Sequence, residues 1–276
     1  MRRIKLGRLK AAPTYVAVAI ALCGLVRVEA QRGDPQPPRA GKTAAPIDLT
    51  GYWVSIVTMD WRYRMVTPRK GDYVGIPMTA EAKTVADTWD PAKDEAAGEQ
   101  CRSYGAPALM SVPGRLHITW QDDNTLKIDT DAGMQTRVLH FNSKPSPGSV
   151  ARTWQGESVA EWRIARPTGG FGALLLRPAE RTSDDKPPVP KGGSLKVVTT
   201  NLRPGYLRKN GVPYSANAVL TEYWDLYKRP NGEEWLTITT EIVDPQYLRD
   251  PRLITWPFKK EPNGAKWDPT PCSSRW

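Results

Sequence analysis

Histidine is almost missing from this chain. Two residues, His117 and His140, are all there are in 276, and no His or Cys stands at metal-ligand spacing. A metal centre is therefore not expected, and a serine triad has little to draw on. Cysteine is scarce too, at three residues. No apolar run reaches the ~20 residues that a membrane-spanning helix needs. The net charge is +10, but no basic helix or dense Lys/Arg cluster carries it, so nucleic acid is not an expected partner. Phosphate-loop chemistry is excluded as well. Gly41-Lys42-Thr43 looks like the end of such a loop, but Gln36 stands where its first glycine belongs and no strand precedes it. No cofactor is expected.

What is present begins with residues 1–30, which read as a cleavable export signal. Arg2, Arg3, Lys5, Arg8 and Lys10 form a cationic head, and Tyr15 to Val26 form a short apolar run. Val28-Glu29-Ala30 then offers small or β-branched residues at the peptidase positions. Cys23 follows Leu22, where lipid attachment would want a small residue. The expected product is a periplasmic or secreted chain with no membrane anchor after cleavage. Its net charge falls to +5, because the signal holds six Lys/Arg and one Asp/Glu. So modest an excess needs no polyanion to explain it. Cleavage also leaves Cys101 and Cys272 as an even pair in an oxidising compartment, where one disulfide is expected.

Residues 31–46 are rich in Pro, Gly and charge and read as a disordered leader. A folded body is expected over 47–262, with a polar C-terminal tail over 263–276. Its first strand should open on Gly51-Tyr52-Trp53 and continue through Val54 to Thr58. Trp61, Tyr63 and Met65 alternate with Arg62 and Arg64, a period of two that predicts another strand. Residues 79–97 predict a helical insert, capped by Thr79 and reopened by Asp90-Pro91. Leu116, Ile118 and Trp120, then Leu126, Ile128 and Thr130, then Met134 to Phe141 predict three strands of an antiparallel meander. Further strand-like runs lie near 150–155, 158–165, 195–200, 217–228, 234–243 and 253–260. The loops at 143–149, 178–194 and 201–213 are heavy in Pro and Gly. About ten strands with few helices predict an all-β fold: an antiparallel, mostly up-and-down barrel with a short helical insert.

The Gly51-Tyr52-Trp53 opening resembles the Gly-x-Trp signature of lipocalins. A longer series of landmarks covers nearly the whole chain. It runs through Cys101, Gly105 and Pro107, then Arg137, then Trp154-Gln155-Gly156-Glu157-Ser158-Val159-Ala160-Glu161-Trp162. It continues through Tyr214-Ser215-Ala216-Asn217-Ala218 and Glu222 to Asp244-Pro245. In these positions the chain resembles an uncharacterised family of exported bacterial proteins, from which it departs at Glu157 and Ala160. The resemblance implies a lipocalin-like (calycin-like) β-barrel and no particular activity.

The candidate site residues follow from charge and aromatic placement. Arg137 and Glu222 each interrupt an apolar, strand-like run. If they point inward they must pair with each other or hold a ligand's polar head, because an unpaired buried charge costs several kcal/mol. Gly156-Glu157-Ser158-Val159-Ala160 approaches a nucleophile elbow but sits on one strand instead of a strand-turn-helix. The segment from Leu202 to Gly211, with Tyr214-Ser215 beyond it, mixes tyrosines with Arg203, Arg208 and Lys209, as a lid over an anionic or aromatic ligand would. Trp53, Trp120, Trp154 and Trp162 read as core, whereas Trp256, Trp267 and Trp276 read as exposed. His117 should point away from the Leu116, Ile118 and Trp120 face. The leading expectation is an exported barrel that binds a small, partly apolar molecule, with Arg137, Glu222, Trp154, Ser158, Tyr214, Ser215 and Trp120 lining the site. The alternatives are a cofactor-free acid–base enzyme using Glu222 or His117 beside Arg137, and a carbohydrate-binding module built on surface Trp. Oligomeric state is not legible.

Overall fold

The computed structural model describes residues 40–143, 151–164 and 192–275. The expected export signal, most of the leader, much of the loops at 143–149 and 178–194, and Trp276 lie outside these residues.

In chain order the strands are β1 (Gly51–Ser55), β2 (Arg115–Asp122), β3 (Thr125–Thr130), β4 (Thr136–Phe141), β5 (Glu157–Ile164), β6 (Gly193–Thr200), β7 (Gly205–Arg208), β8 (Val212–Tyr214), β9 (Val219–Lys228), β10 (Glu234–Val243) and β11 (Arg252–Glu261). All but β7 and β8 close into a nine-stranded barrel, ordered β1-β11-β10-β9-β6-β5-β4-β3-β2. Every neighbouring pair is antiparallel except β4 and β5, which run parallel. The all-β barrel expected from the sequence is present, with this one parallel step.

Period-two alternation explains which side chains fill it. Along β10, Leu236, Ile238, Thr240 and Ile242 are buried, and the residues between them face outward. Trp53, Trp224, Trp256, Ile118, Ile128, Leu139 and Phe258 pack the interior, and Lys127, Asp129, Glu161 and Lys196 lie on the outer face, where they pair with one another. Apolar inside and charged outside is the reverse of a membrane-spanning barrel.

The long connection between β1 and β2 builds a cap over one end. It carries α1 (Trp61–Met65), α2 (Ala80–Asp87), α3 (Pro91–Ala96), a 3-10 turn over Gln100–Tyr104, and α4 (Ala106–Leu109). The expected insert is α2 and α3. Thr79 accepts a hydrogen bond from the Ala82 amide at 3.1 Å, and Asp90 accepts one from Ala92 at 3.1 Å ahead of Pro91. The β7–β8 hairpin and the 244–251 connection complete the cap. Its own apolar cluster includes Met78, Ala82, Ala86, Leu207, Val212, Tyr214, Leu220 and Ile242.

Several expectations are corrected. Residues 61–65 form a helix, because Asp60 adopts a left-handed conformation (φ 50°) that turns the chain and buries Arg64. The run at 150–155 makes one isolated bridge, Thr153 to Leu202, because Gly156 at φ 61° breaks the extended backbone before β5. The 201–213 loop is largely the buried β7–β8 hairpin. Trp256 is buried, because it points into the barrel from β11 instead of belonging to the tail. Residues 40–46 are ordered. The Gly41 amide donates to Asn124, and its carbonyl accepts from the Trp162 indole at 2.7 Å. The tail runs back along the barrel to the cap, bridging at Ala132–Thr270, and ends on the Cys101–Cys272 disulfide, whose Cα atoms are 5.1 Å apart.

Candidate functional site

Two groups of buried charge lie near the capped end, and they differ in stoichiometry. The first is inside the barrel. Arg137 on β4, Ser158 on β5, Thr199 on β6 and Glu222 on β9 all point inward at the same level. Arg137 donates to both carboxylate oxygens of Glu222, one of them at 3.1 Å, and also to Thr199 at 2.8 Å and Ser158 at 3.3 Å. Both side chains of the ion pair are fully buried. Leu220 and Ile242 belong to the cap cluster, and Trp224 and Ile238 to the barrel cluster. Glu222 and Thr240 sit between them on the same strands, so the network is a polar seam between two apolar cores.

Several residues that carried the resemblance contact one another near the capped end. Ser215 donates its amide and its hydroxyl to the two carboxylate oxygens of Asp244, at 2.6 and 2.7 Å. The Trp154 carbonyl accepts from the Ala106 amide at 2.9 Å. Gly105 is required by close approach, since a Cβ there would stand 2.1 Å from the Tyr214 hydroxyl. Of the expected ligand residues, Arg137, Glu222 and Ser158 are together in the seam, and Tyr214 and Ser215 are buried beside it. Trp154 is half-buried under Arg203, whose guanidinium lies 4.5 Å from the ring. Trp120 stands apart at the far end of the barrel against Phe141, on the wall of an open surface cleft of about 640 Å³. His117 lies outside the barrel, stacked on Tyr52 at 4.1 Å.

The second group is in the cap and was only half seen in the sequence. A narrow cavity of about 20 Å³, room for about one water, is walled by Arg64, Arg208, Lys209 and Arg252. All four are buried, and one carboxylate, Asp60, is the only acid on its walls. Arg64 comes from α1 and donates to the Ser111 carbonyl and the Ser55 hydroxyl, both at 2.6 Å. Arg252 opens β11 and donates to Asp60 at 3.2 Å, and Arg208 at the end of β7 lies 3.6 Å from the same oxygen. Lys209 donates to the Tyr104 hydroxyl at 2.6 Å. Trp256, Tyr63, Val112 and Leu207 supply apolar wall, with Arg64 at 5.0 Å from the Trp256 ring and Arg208 at 3.8 Å from that of Tyr63.

Burial weakens the charged form of every cation here. It lowers Arg64 to about 10 and Lys209 to about 7. Arg252 also falls to about 10, through burial and the repulsion of Arg208, against the pull of Asp60. The arginines remain charged at neutral pH, so the cavity holds a positive field that Asp60 cancels only in part. Tyr63 also walls a wider neighbouring cleft of about 370 Å³, lined by Arg62, Val66, Arg69 and Asp72.

Sequence reasoning picked out Arg208 and Lys209 through their loop but missed Arg64 and Arg252. Arg64 was hidden by the apparent strand alternation, and Arg252 by its place at a strand start. The one legible signal was the repeated arginine in an otherwise apolar 61–66 segment. No known protein family, curated protein or solved structure matches this chain.

Proposed function

We propose that this protein binds a small anionic molecule at the capped end of its barrel, with Arg64, Arg208, Lys209 and Arg252 holding the anionic group. The observation that carries this reading is four buried cations around one cavity with a single carboxylate among them. Burying charge is costly unless it is paired; Arg208 and Arg252 share the Asp60 carboxylate, and an anion beside them would offset more of that cost. Trp256, Leu207 and Val112 give the site the partly apolar wall that small-molecule pockets use. The cavity has room for about one water, so an anionic group would enter as its walls part, and the cleft beyond Tyr63 offers room for the remainder of a larger ligand. Export to an oxidising compartment fits the Cys101–Cys272 bond, and the exported barrel family is supported by the closed barrel and by the contacts of Ser215 with Asp244 and of Gly105 with Tyr214 among its landmarks.

The test is thermal unfolding with inorganic phosphate and with acetate at constant ionic strength. Binding to the folded state alone raises Tm in a saturable way. The expected result is such a rise in the wild type and its loss in Arg252→Gln. A Tm that responds equally in both proteins overturns the reading.

A further inference from the structure

The cap carries an inside-out helix. On α1 the buried residue is Arg64, while Trp61 and Met65, one turn apart on the same face, point to solvent, with Trp61 63 % exposed. An ordinary surface helix does the opposite. The exposure extends beyond α1. Met59, Val66, Val74 and Leu253 are also exposed, Val74 at 71 % and Leu253 at 68 %. These residues flank one knot of contacts. Asp60 lies between Met59 and Trp61, and it accepts from Arg252, the neighbour of Leu253. Arg208, beside the same carboxylate, donates to the Val74 carbonyl at 3.1 Å. Six of the ten large apolar side chains exposed among the described residues thus gather at one end of the molecule. Contiguous apolar exposure of this kind marks a docking surface.

Charge selects the occupant. The same segments expose Arg62, Arg69, Lys70 and Arg249. Asp72 pairs with Arg62, Asp87 lines the cleft of Arg249 together with Lys83, and Asp250 follows Arg249, so five cations face three acids and positive charge predominates. Arg69 and Arg62 wall the cleft next to Val66, and Arg249 walls the one next to Val74, so the cations ring the apolar residues. A second copy of the chain related by a two-fold axis would set this positive ring against itself. An anionic bilayer meets both features, because Trp and Met enter the headgroup and upper acyl region while Arg and Lys meet the phosphates. We propose that this collar docks the protein on the surface of an anionic lipid bilayer. The contact is peripheral, with no segment crossing.

The experiment is flotation of the full chain with vesicles of equimolar phosphatidylcholine and phosphatidylglycerol, against vesicles of phosphatidylcholine alone. The protein should float with the anionic vesicles and not with the neutral ones. Trp61→Ser/Met65→Ser should reduce the floated fraction about tenfold, since each exposed apolar anchor contributes through its buried area. Lys70→Glu/Arg249→Glu should do the same through charge. Both pairs are exposed, so neither should lower the unfolding midpoint. The comparison with wild type also cancels any contribution of the apolar run at 15–26. Failure of the wild type to float, or flotation of the Trp61/Met65 variant at the wild-type level, overturns the proposal. So does a dimer in solution that Trp61→Ser dissolves. The Tm response to free phosphate, read on the same variants, stays intact if only docking is lost, which separates this inference from the anion-site reading.

Discussion

The seam and the cap bury charge in opposite ways. In the seam one cation meets one carboxylate, and two hydroxyls take the remaining guanidinium donors. In the cap Arg208 and Arg252 share the Asp60 carboxylate, while Arg64 donates to a carbonyl and a serine hydroxyl and Lys209 to a tyrosine hydroxyl. A balanced buried pair holds two layers in register and asks for nothing more. An unbalanced cluster retains a field that a ligand can neutralise. Arg137 and Glu222, which looked most suited to a ligand from the sequence, satisfy each other within the protein, while the proposed anion site lies in the cap.

The largest effect should come from untying the cap. The disulfide closes a separation of 171 residues and holds the tail against the 3-10 turn, where the Arg275 carbonyl reaches Lys209 and the Ser273 amide reaches Tyr104. Chain entropy alone puts its contribution at up to about 5 kcal/mol. Cys101→Ser/Cys272→Ser should lower the urea midpoint accordingly. It should also raise hydrogen exchange in the β7–β8 hairpin while β9 and β10 stay protected. Equal loss of protection in both regions would erase the distinction between cap and barrel.

Next comes the seam itself. Glu222→Gln leaves Arg137 buried without its counter-charge, and breaking one partner of such a pair costs about 3–5 kcal/mol. The double change Arg137→Met/Glu222→Leu removes both charges and should recover most of that loss in urea unfolding. In the cap the corresponding change, Lys209→Met, removes an amine whose charge burial already weakens and nearly conserves volume. It should stay within about 1 kcal/mol of wild type. A seam variant as mild as the cap variant would show that the balance of charge does not separate the two regions.

How far each region could be read in advance follows from the same contrast. The barrel announced itself because alternation is local. Leu116, Ile118 and Trp120, or Leu236 and Ile238, each state their inward face within a few residues. Arg137 and Glu222 were legible because a charge at an inward position of an apolar strand has to pair. Residues 59–66 were not. The same spacing of Trp61, Tyr63 and Met65 suits a strand, and the left-handed turn at Asp60 that chooses a helix instead is held by tertiary contacts to Arg252 and Arg208. Trp256 was misplaced for a related reason: it was judged by its nearness to a polar tail, although it lies two residues from Phe258 on the inward face of β11. The cap cavity draws on α1, β7, β11 and the loop after β7, which only the closed fold brings together.

The smallest effect is also the most specific to the cap. Burial lowers the Lys209 amine from its usual value to about 7. The groups around it are Tyr104 from the 3-10 turn, the Arg275 carbonyl from the tail, Arg64 from α1, and Arg208, Arg252 and Asp60 on the same cavity walls. A depressed lysine binds fewer protons when folded than when unfolded, so stability from this group rises as pH climbs from about 7 toward the ordinary lysine value. Anion binding runs the other way, because it needs the charged amine and weakens as pH rises through about 7. Phosphate titrations followed by Tm should therefore show affinity falling across that window, and Lys209→Met should bind more weakly at pH 6 and lose that part of the slope. The control is acetate, which keeps a constant charge over the same range, so any slope it shares with phosphate comes from the protein. If the acetate profile is flat, Lys209 does not face the bound anion, and the field of the cap rests on its three arginines.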